Sequence, residues 1–166
     1  MSKIIVHENP WFSVSRQSAG TQEWYQIEAA DSAMTIGRTR EDKVLLIRGI
    51  RGATGSTQVY ELPGGIIEPH ETPIQAAARE TEEETGYRAS SMVSIGDFFQ
   101  APAISAAKCH VFEATVEQIG DSQLEEGEQW ESVLVDVAEL RALVTSGRIR
   151  DGATLAALGS YLAARS

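Results

Sequence analysis

Short runs of β-branched and aromatic residues, separated by turn-forming residues, occupy the first third of the chain. This alternation of apolar runs and turns is typical of strands. The run at 44–47 is continuously apolar, which indicates a strand that is buried on both faces. Residues 48–58 are rich in Gly, Arg, Ser and Thr, so we expect a loop there. The predicted strands are 3–6, 11–16, 24–27, 33–36, 44–47 and 59–62.

The rest of the chain mixes strands with three segments of helical apolar spacing. Residues 120–129 are typical of an acidic loop, and Gly147 is a plausible stop between the last two helices. Strands mixed with helices in this order favour a sheet that is covered by helices. We therefore predict an α/β fold with a mixed sheet between helical layers. The remaining predicted elements are strands at 89–99, 109–116 and 131–135 and helices at 73–85, 137–145 and 154–164.

The helix predicted at 73–85 has clear signals at both ends. Thr72 is a natural N-cap, Pro73 fits the first helical position, and Gln75 stands three residues after Thr72, as in a capping box. Gly86 is the residue expected just past the end of a helix. These local signals fix the helix without any tertiary information.

Three carboxylates share one face of this helix, because Glu80, Glu83 and Glu84 stand at i, i+3 and i+4. Their repulsion costs only about 0.2–0.5 kcal/mol per pair, so an exposed acidic face is the simplest explanation. However, the helix follows a Pro-Gly-Gly turn at 63–65, and Arg79 adjoins Glu80. Clustered carboxylates that leave room for water are what Mg²⁺ prefers. We therefore favour a metal site.

Composition sets broad limits on the class of protein. The 166 residues fit one domain, and hydrophobic and charged fractions of 42% and 23% are ordinary for a folded protein. The formal net charge of −10 argues against nucleic acid as a partner. The single cysteine, Cys109, excludes an internal disulfide and fits a small core residue better than a nucleophile. With no signal peptide and no membrane-length apolar segment, we expect a cytoplasmic protein that does not bind membranes.

Seven residues around the acidic helix stand at a spacing that resembles a known motif. They match all seven fixed positions of the Nudix box, and Tyr87 fits one of its apolar positions. Thr81 replaces an aliphatic residue, and His70 stands where many members have Gly. The matching residues are Gly65, Glu71, Arg79, Glu80, Glu83, Glu84 and Gly86.

The resemblance to the Nudix hydrolases implies an α/β/α sandwich and a single Nudix domain over 1–166. Within it, 37–166 would form the Nudix fold. Residues 1–36 would form N-terminal antiparallel strands, which could be exchanged between the subunits of a homodimer.

Features outside the box resemble the ADP-ribose pyrophosphatase group of that family. Pro102 lies fifteen residues beyond Tyr87, where that group carries a proline. The stretches LLIRGIR and VYELPGG, and the C-terminal run from EEGEQWE to GRIRDGATLAAL, are also similar to theirs. Ala103 follows Pro102 where the group usually has Gly, which leaves the terminal sugar open.

The resemblance also implies a metal site and its chemistry. Mg²⁺, with Mn²⁺ as an alternative, would bridge the diphosphate of a nucleotide-sugar substrate. Glu83 and Glu126 would act in catalysis, and Arg79 would orient a box carboxylate. A solvated acidic loop explains Glu126 and Glu128 nearly as well. The implied metal ligands are the Gly64 carbonyl, Glu80, Glu83, Glu84 and Glu128.

The resemblance also implies four residues that contact the substrate: Arg51, Glu61, Pro102 and Phe12. A guanidinium suits phosphate oxygens, although Arg51 could equally form a surface ion pair. Pro102 could be an ordinary loop proline. Phe12, like Trp11 and Trp24, could stack on adenine across a dimer, yet core packing explains each aromatic residue more simply.

The predicted function is Mg²⁺-dependent hydrolysis of ADP-ribose or a related nucleoside diphosphate sugar. The products would be a nucleoside monophosphate and a sugar phosphate. Two alternatives remain. One is a Nudix hydrolase of GDP-mannose, dinucleoside polyphosphates or damaged nucleoside triphosphates. The other is a non-catalytic Nudix domain that binds nucleotide sugars.

Overall fold

The computed structural model describes residues 2–55, 57–124, 127 and 129–163, and the described part holds ten strands and three helices. None of the helices in this part is long and apolar enough to cross a membrane. The elements are β1 Ser2–Glu8, β2 Phe12–Ala19, β3 Gln22–Ala29, β4 Ser32–Arg38, β5 Val44–Ile50, β6 Gln58–Glu61, β7 Gly64–Ile66, α1 Pro73–Thr85, β8 Tyr87–Phe99, β9 Lys108–Gln118, β10 Trp130–Val135, α2 Val137–Thr145 and α3 Gly152–Ala163.

The sequence predictions of the three helices are confirmed, and α1 has the predicted bounds. Most strands extend a few residues beyond their predicted bounds, and two strands also change the predicted pattern of loops. β5 continues to Ile50, and a short 3-10 turn, Gly52–Thr54, follows it inside the predicted loop. β7 lies where only a glycine turn was expected. Its pairing with β4 uses backbone groups alone, so it leaves no apolar pattern in the sequence.

The strands form two sheets. β1, β2 and β3 make the predicted antiparallel sheet at the N-terminus, whereas β4, which begins within the predicted N-terminal segment 1–36, belongs to the larger sheet. The larger sheet has seven strands in the order β10-β5-β4-β9-β8, with β6 paired to β5 and β7 paired to β4. β4 and β9 run parallel, while β5 and β10 run antiparallel, so the sheet is mixed, as predicted.

Helices cover both faces of the larger sheet, and β4 shows how the sequence divides between them. Ala33 packs on one face with Ala76 and Ala77 of α1. Met34 and Ile36 point to the other face, where they join a core with residues of α2 and α3. Successive strand residues point to opposite faces, so β4 serves both layers. This arrangement is the predicted α/β/α sandwich.

Thr81, the departure from an aliphatic residue on α1, is fully buried against β4. Its Oγ1 lies 2.6 Å from the Ala77 carbonyl oxygen and 2.9 Å from Thr35 Oγ1. Thr35 Oγ1 donates to the same carbonyl at 3.1 Å. Two hydroxyls that satisfy each other replace an apolar contact here, because a buried polar group needs a hydrogen-bond partner.

The N-terminal sheet joins the rest of the chain through the loop between β8 and β9. Ile27 N donates to the Ile104 carbonyl at 2.7 Å, and Ile27 forms an isolated parallel bridge with Ser105. Large apolar side chains of this sheet and of its first turn are exposed, including Tyr25 at 55% on β3 and Trp11 at 69% in the β1–β2 turn. The sheet therefore places aromatic surface beside the loop that carries Pro102.

Replacing Gly159 with alanine is expected to stabilise the fold. Gly159 is exposed in α3, and an added Cβ would meet no atom within 4 Å. Alanine in a helix interior is favoured over glycine by about 0.5–1 kcal/mol. Urea unfolding should show that increase. The contrasting variant is Gly37→Ala in β4, whose Cβ would lie 2.7 Å from Val116 Cγ1 and should lower stability. A destabilised Gly159→Ala variant would contradict the prediction.

Candidate active site

Helix α1 begins and ends as its sequence requires. The Thr72 backbone N–H donates to Gln75 Oε1 at 2.8 Å, which is the reciprocal bond of a capping box. Gly86 adopts a left-handed conformation with φ of 72°, and its N–H donates to the Glu82 carbonyl at 2.8 Å. These ends fix which residues face the sheet and which face the adjoining loops.

The acidic loop after β9 attaches to the C-terminal end of α1. Ile119 N donates to the Gly86 carbonyl at 2.9 Å, and Gln123 N donates to the Glu83 carbonyl at 2.7 Å. A Cβ on Gly86 would lie 2.3 Å from the Gly120 carbonyl oxygen, so only glycine permits this approach. The loop therefore starts beside the carboxylates of the helix.

Arg79 is the centre of a carboxylate network. Its Nε and Nη2 donate to the two oxygens of Glu71 at 2.9 and 3.0 Å. Its Nη1 donates to Glu80 Oε1 and to Glu83 Oε2, each at 2.9 Å. Nη2 also donates to the Ile66 carbonyl at 3.1 Å. One guanidinium therefore joins the turn before the helix to two carboxylates on it.

The network shifts the pKa values of Arg79 and Glu71, which form two hydrogen bonds with each other. The hydrogen bonds from Arg79 hold the pKa of Glu71 below its ordinary value, even though partial burial acts in the opposite direction. The hydrogen bond to Glu71 raises the pKa of Arg79, and the charge of Glu80 and the hydrogen bonds to Glu80 and Glu83 add to that effect. Both groups are therefore charged at neutral pH.

The glycine turn packs against the other carboxylates. Glu84 is only 4% exposed, and its Oε2 accepts from Gly64 N at 2.8 Å. A Cβ on Gly65 would lie 2.3 Å from Glu80 Oε1, and one on Gly64 would lie 2.4 Å from the Ala33 carbonyl oxygen. Both glycines are therefore needed for the turn to lie between β4 and the carboxylates of α1.

The donor set suits a hard divalent cation. Within the described ranges, no three His, Cys, Asp or Glu side chains already form a metal-binding group. Arg79 pairs with Glu80 and Glu83, while the Glu84 carboxylate accepts a hydrogen bond from Gly64 N of the glycine turn. Mg²⁺ needs only one or two carboxylates when waters and substrate phosphates complete its coordination. Carboxylate oxygens beside a backbone turn therefore fit Mg²⁺ chemically.

Two predicted functional residues of the acidic loop, Glu126 and Glu128, lie outside the described residues. Their assignments as proton acceptor and metal ligand therefore stay predictions. The described part of the loop, up to Leu124, starts at the end of α1 that carries Glu83 and Glu84. Trp130 continues the chain as the first residue of β10.

Arg51 and Glu61, both predicted to bind substrate, form an ion pair with each other. Arg51 Nε and Nη2 donate to the two Glu61 oxygens at 3.2 and 2.7 Å. Burial lowers the pKa of Arg51, but the hydrogen bonds and charge of Glu61, with the charges of Glu84 and Asp151, raise it overall. The carboxylate of Glu61 is therefore paired with Arg51, and of the α1 carboxylates the charge of Glu84 also acts on Arg51.

Pro102 and Phe12, the other two predicted substrate contacts, line different clefts. Pro102, with Trp24, Tyr25, Phe99 and neighbouring residues, borders a cavity of about 410 Å³ between β3 and the β8–β9 loop. Phe12 lines a cleft at the tip of the β1–β2 hairpin, with its ring centroid 5.7 Å from that of His7. The structure brings Arg51 and Glu61 together and leaves Pro102 and Phe12 apart.

Sequence reasoning missed Trp130 as part of this site. Its indole lies 9% exposed beneath Arg51, with the guanidinium carbon 4.5 Å from the ring centroid. The sequence signals would have been a tryptophan directly after an acidic loop and a glycine in the strand it pairs with. Gly49 stands opposite Trp130 in the pairing of β5 with β10.

Comparison with known proteins finds a matching family model and several similar proteins. The model of the NUDIX domain family matches residues 29–158, which leaves most of the N-terminal sheet outside the match. An ADP-ribose pyrophosphatase of Bacillus subtilis is 32% identical over 122 residues, covering 72% of this chain and 65% of that protein. An ADP-sugar pyrophosphatase of Mus musculus is 37% identical over 131 residues, covering 69% and 60% of the two chains.

A third relative has a different substrate in its name. The CMP-5'-(N-acetyl-N-hydroxy-3-aminopropyl)phosphonate hydrolase of Streptomyces rubellomurinus is 26% identical over 149 residues, covering 87% of this chain and 72% of that protein. Of the Bacillus subtilis and Mus musculus proteins, the matched part spans less than two thirds.

Proposed function

The chain belongs to the NUDIX domain family, and from that premise we propose that it hydrolyses the diphosphate of ADP-ribose or a related nucleoside diphosphate sugar. The observation that carries the proposal is the carboxylate network of α1. Arg79 holds Glu80 and Glu83, and the Gly64 turn packs on Glu84. The names of the Bacillus subtilis and Mus musculus relatives support this class of substrate.

The proposed cofactor is Mg²⁺, with Mn²⁺ as an alternative. Its ligands would be the Gly64 carbonyl, Glu80, Glu83, Glu84 and Glu128. When bound, the metal would neutralise the diphosphate and favour ionisation of the attacking water.

The chain's own residues would then do three things. A carboxylate, Glu126 or Glu83, accepts the proton of the attacking water. Arg79 keeps the carboxylates in fixed positions, so that no reorganisation is needed during the reaction. Arg51 donates hydrogen bonds to a phosphate oxygen, with Glu61 as its anchor. Hydrolysis of ADP-ribose in this way releases AMP and ribose 5-phosphate.

The remainder of the substrate is assigned to the region around Pro102. The adjoining cavity is lined by Trp24, Tyr25 and Phe99, which are suited to stacking on a planar base. In the homodimer that we propose, exposed apolar residues of the N-terminal sheet, including Phe12 and Trp11, would pack on the partner subunit. Light scattering of the purified chain tests the dimer directly.

The deciding assay incubates the protein with ADP-ribose and Mg²⁺ and measures AMP and ribose 5-phosphate. We expect both products in equal amounts, and none when the metal is removed with EDTA. Absence of AMP would reject ADP-ribose as the substrate. A panel of GDP-mannose, other nucleotide sugars and dinucleoside polyphosphates then identifies the true one, and pyrophosphate release from triphosphates identifies a triphosphatase.

A non-catalytic role makes a different prediction for the same panel. A binding domain would show saturable association with a nucleotide sugar and no metal-dependent product from any compound. The box carboxylates Glu80, Glu83 and Glu84 are all present in this chain, which favours the hydrolase.

A further inference from the structure

Trp130 of β10 lies opposite a glycine of β5, a residue without a side chain. Gly49 pairs with Trp130 across the β5–β10 ladder. A Cβ on Gly49 would lie 2.4 Å from Trp130 Cε3 and 2.3 Å from the Gln129 carbonyl oxygen. Glycine is therefore required for the indole to lie across this part of the sheet. The ring also packs in one apolar cluster with Ile47 and Val59.

The upper face of the indole carries a charged group. The guanidinium carbon of Arg51 lies 4.5 Å from the ring centroid, within the range of a cation–π contact. The Glu61 carboxylate, on a side chain that is 10% exposed, accepts hydrogen bonds from Nε and Nη2 of the same guanidinium. A stacking surface and a bidentate carboxylate together fix both the plane of Arg51 and its rotation within that plane.

One amino group of the Arg51 guanidinium, Nη1, does not take part in the bonds to Glu61. Among the described residues, Nη1 of Arg51 has no hydrogen-bond partner, since Glu61 takes Nε and Nη2. This part of the sheet also contacts α1, because Ser132 Oγ, two residues beyond Trp130, donates to the Thr85 carbonyl at 3.0 Å. The Arg51 side chain is 45% exposed, so a solute can reach it.

We propose that Trp130 is a positioning residue, whose indole face holds the Arg51 guanidinium flat and leaves Nη1 free to donate to the diphosphate of the substrate. The inference rests on the proposed function for the identity of that substrate. Trp130 itself does not touch the reacting atoms; it removes the cost of ordering a flexible arginine when substrate binds.

The kinetic test compares Trp130→Leu with Trp130→Phe in ADP-ribose hydrolysis. Leucine keeps an apolar core residue but removes the aromatic face, whereas phenylalanine keeps a smaller one. We expect Trp130→Leu to raise KM about three- to tenfold, the size of a lost cation–π contact, with kcat within about twofold of wild type. Trp130→Phe should recover most of the loss in KM.

A double-mutant cycle with Arg51→Gln separates positioning from simple core packing. If Trp130 acts through Arg51, Trp130→Leu should cause no further rise in KM in the Arg51→Gln background. An equal rise in both backgrounds would overturn the inference, as would a loss in kcat alone.

A binding experiment decides the inference even when a Trp130 variant does not fold or ADP-ribose is not the substrate. In a Trp11→Phe, Trp24→Phe variant, Trp130 is the single tryptophan of the chain. Its fluorescence is titrated with inorganic pyrophosphate and Mg²⁺. We expect a saturable change that Arg51→Gln abolishes. No change, or a change that persists without Arg51, overturns the inference. If the wild-type protein makes no AMP, ADP-ribose is rejected as the substrate. The titration with pyrophosphate then still tests the role of Trp130.

Discussion

Replacing Glu84 with glutamine is expected to lower the turnover of ADP-ribose about 10²- to 10³-fold, the usual effect of removing one preorganised electrostatic group. Glu84 is 4% exposed and accepts from Gly64 N at 2.8 Å. Glutamine Oε1 can keep that bond, so the turn should stay in place while a negative charge is lost. Steady-state hydrolysis at saturating Mg²⁺ measures the effect.

The matched control is Glu82→Gln on the same helix. Glu82 lies off the network and pairs with Arg88, whose side chain is 62% exposed. We expect its turnover to match wild type. The turnover of Glu83→Gln should be lowered, like that of Glu84→Gln, because Glu83 belongs to the Arg79 network. All three variants should have a urea unfolding midpoint near that of the wild type, since loss of a carboxylate relieves repulsion on this helix. Equal turnover in Glu84→Gln and Glu82→Gln would remove Glu84 from the proposed site.

Local signals made the α1 helix and its carboxylate face predictable from the sequence. Thr72, Pro73 and Gly86 act within one turn of their own positions, and helical periodicity alone places Glu80, Glu83 and Glu84 together. The same applies to β5, whose uninterrupted apolar run indicated a strand buried on both faces, as the burial of residues 44–47 confirms. Where the physical cause lies within a few residues, the pattern is sufficient.

Contacts across the sheet were not predictable in this way. β7 consists of Gly64–Ile66 and is defined by backbone pairing with β4, which no side-chain pattern records. The hydroxyl of Thr81 is accommodated by Thr35, a partner far away in sequence. The stack of Arg51 on Trp130 likewise depends on the register of β10 with β5. A pattern assigns a residue to a face, but the partner it meets there depends on tertiary structure.

Replacing Arg79 with methionine should affect stability and activity together. Methionine keeps the length of the apolar stem and removes every hydrogen bond to Glu71, Glu80 and Glu83. Breaking a fully buried ion pair costs about 3–5 kcal/mol. Because 26% of the Arg79 side chain is exposed, we expect a loss of about 1–3 kcal/mol at neutral pH. Turnover should fall about 10- to 100-fold, as the carboxylates lose their fixed orientation.

The pH dependence of that loss distinguishes a specific ion pair from general damage. Arg79 lowers the pKa of Glu71 in the folded state, so the stabilisation is fully present above the ordinary carboxyl value of 4.5. It is lost as the pH falls through the lowered value. The stability difference between wild type and Arg79→Met should therefore be constant at neutral pH and shrink below about pH 4.5. Arg88→Met, which removes an exposed pair with Glu82, is the control and should show no such dependence. A difference that does not shrink in acid would mean that Arg79 stabilises the fold through packing rather than through Glu71.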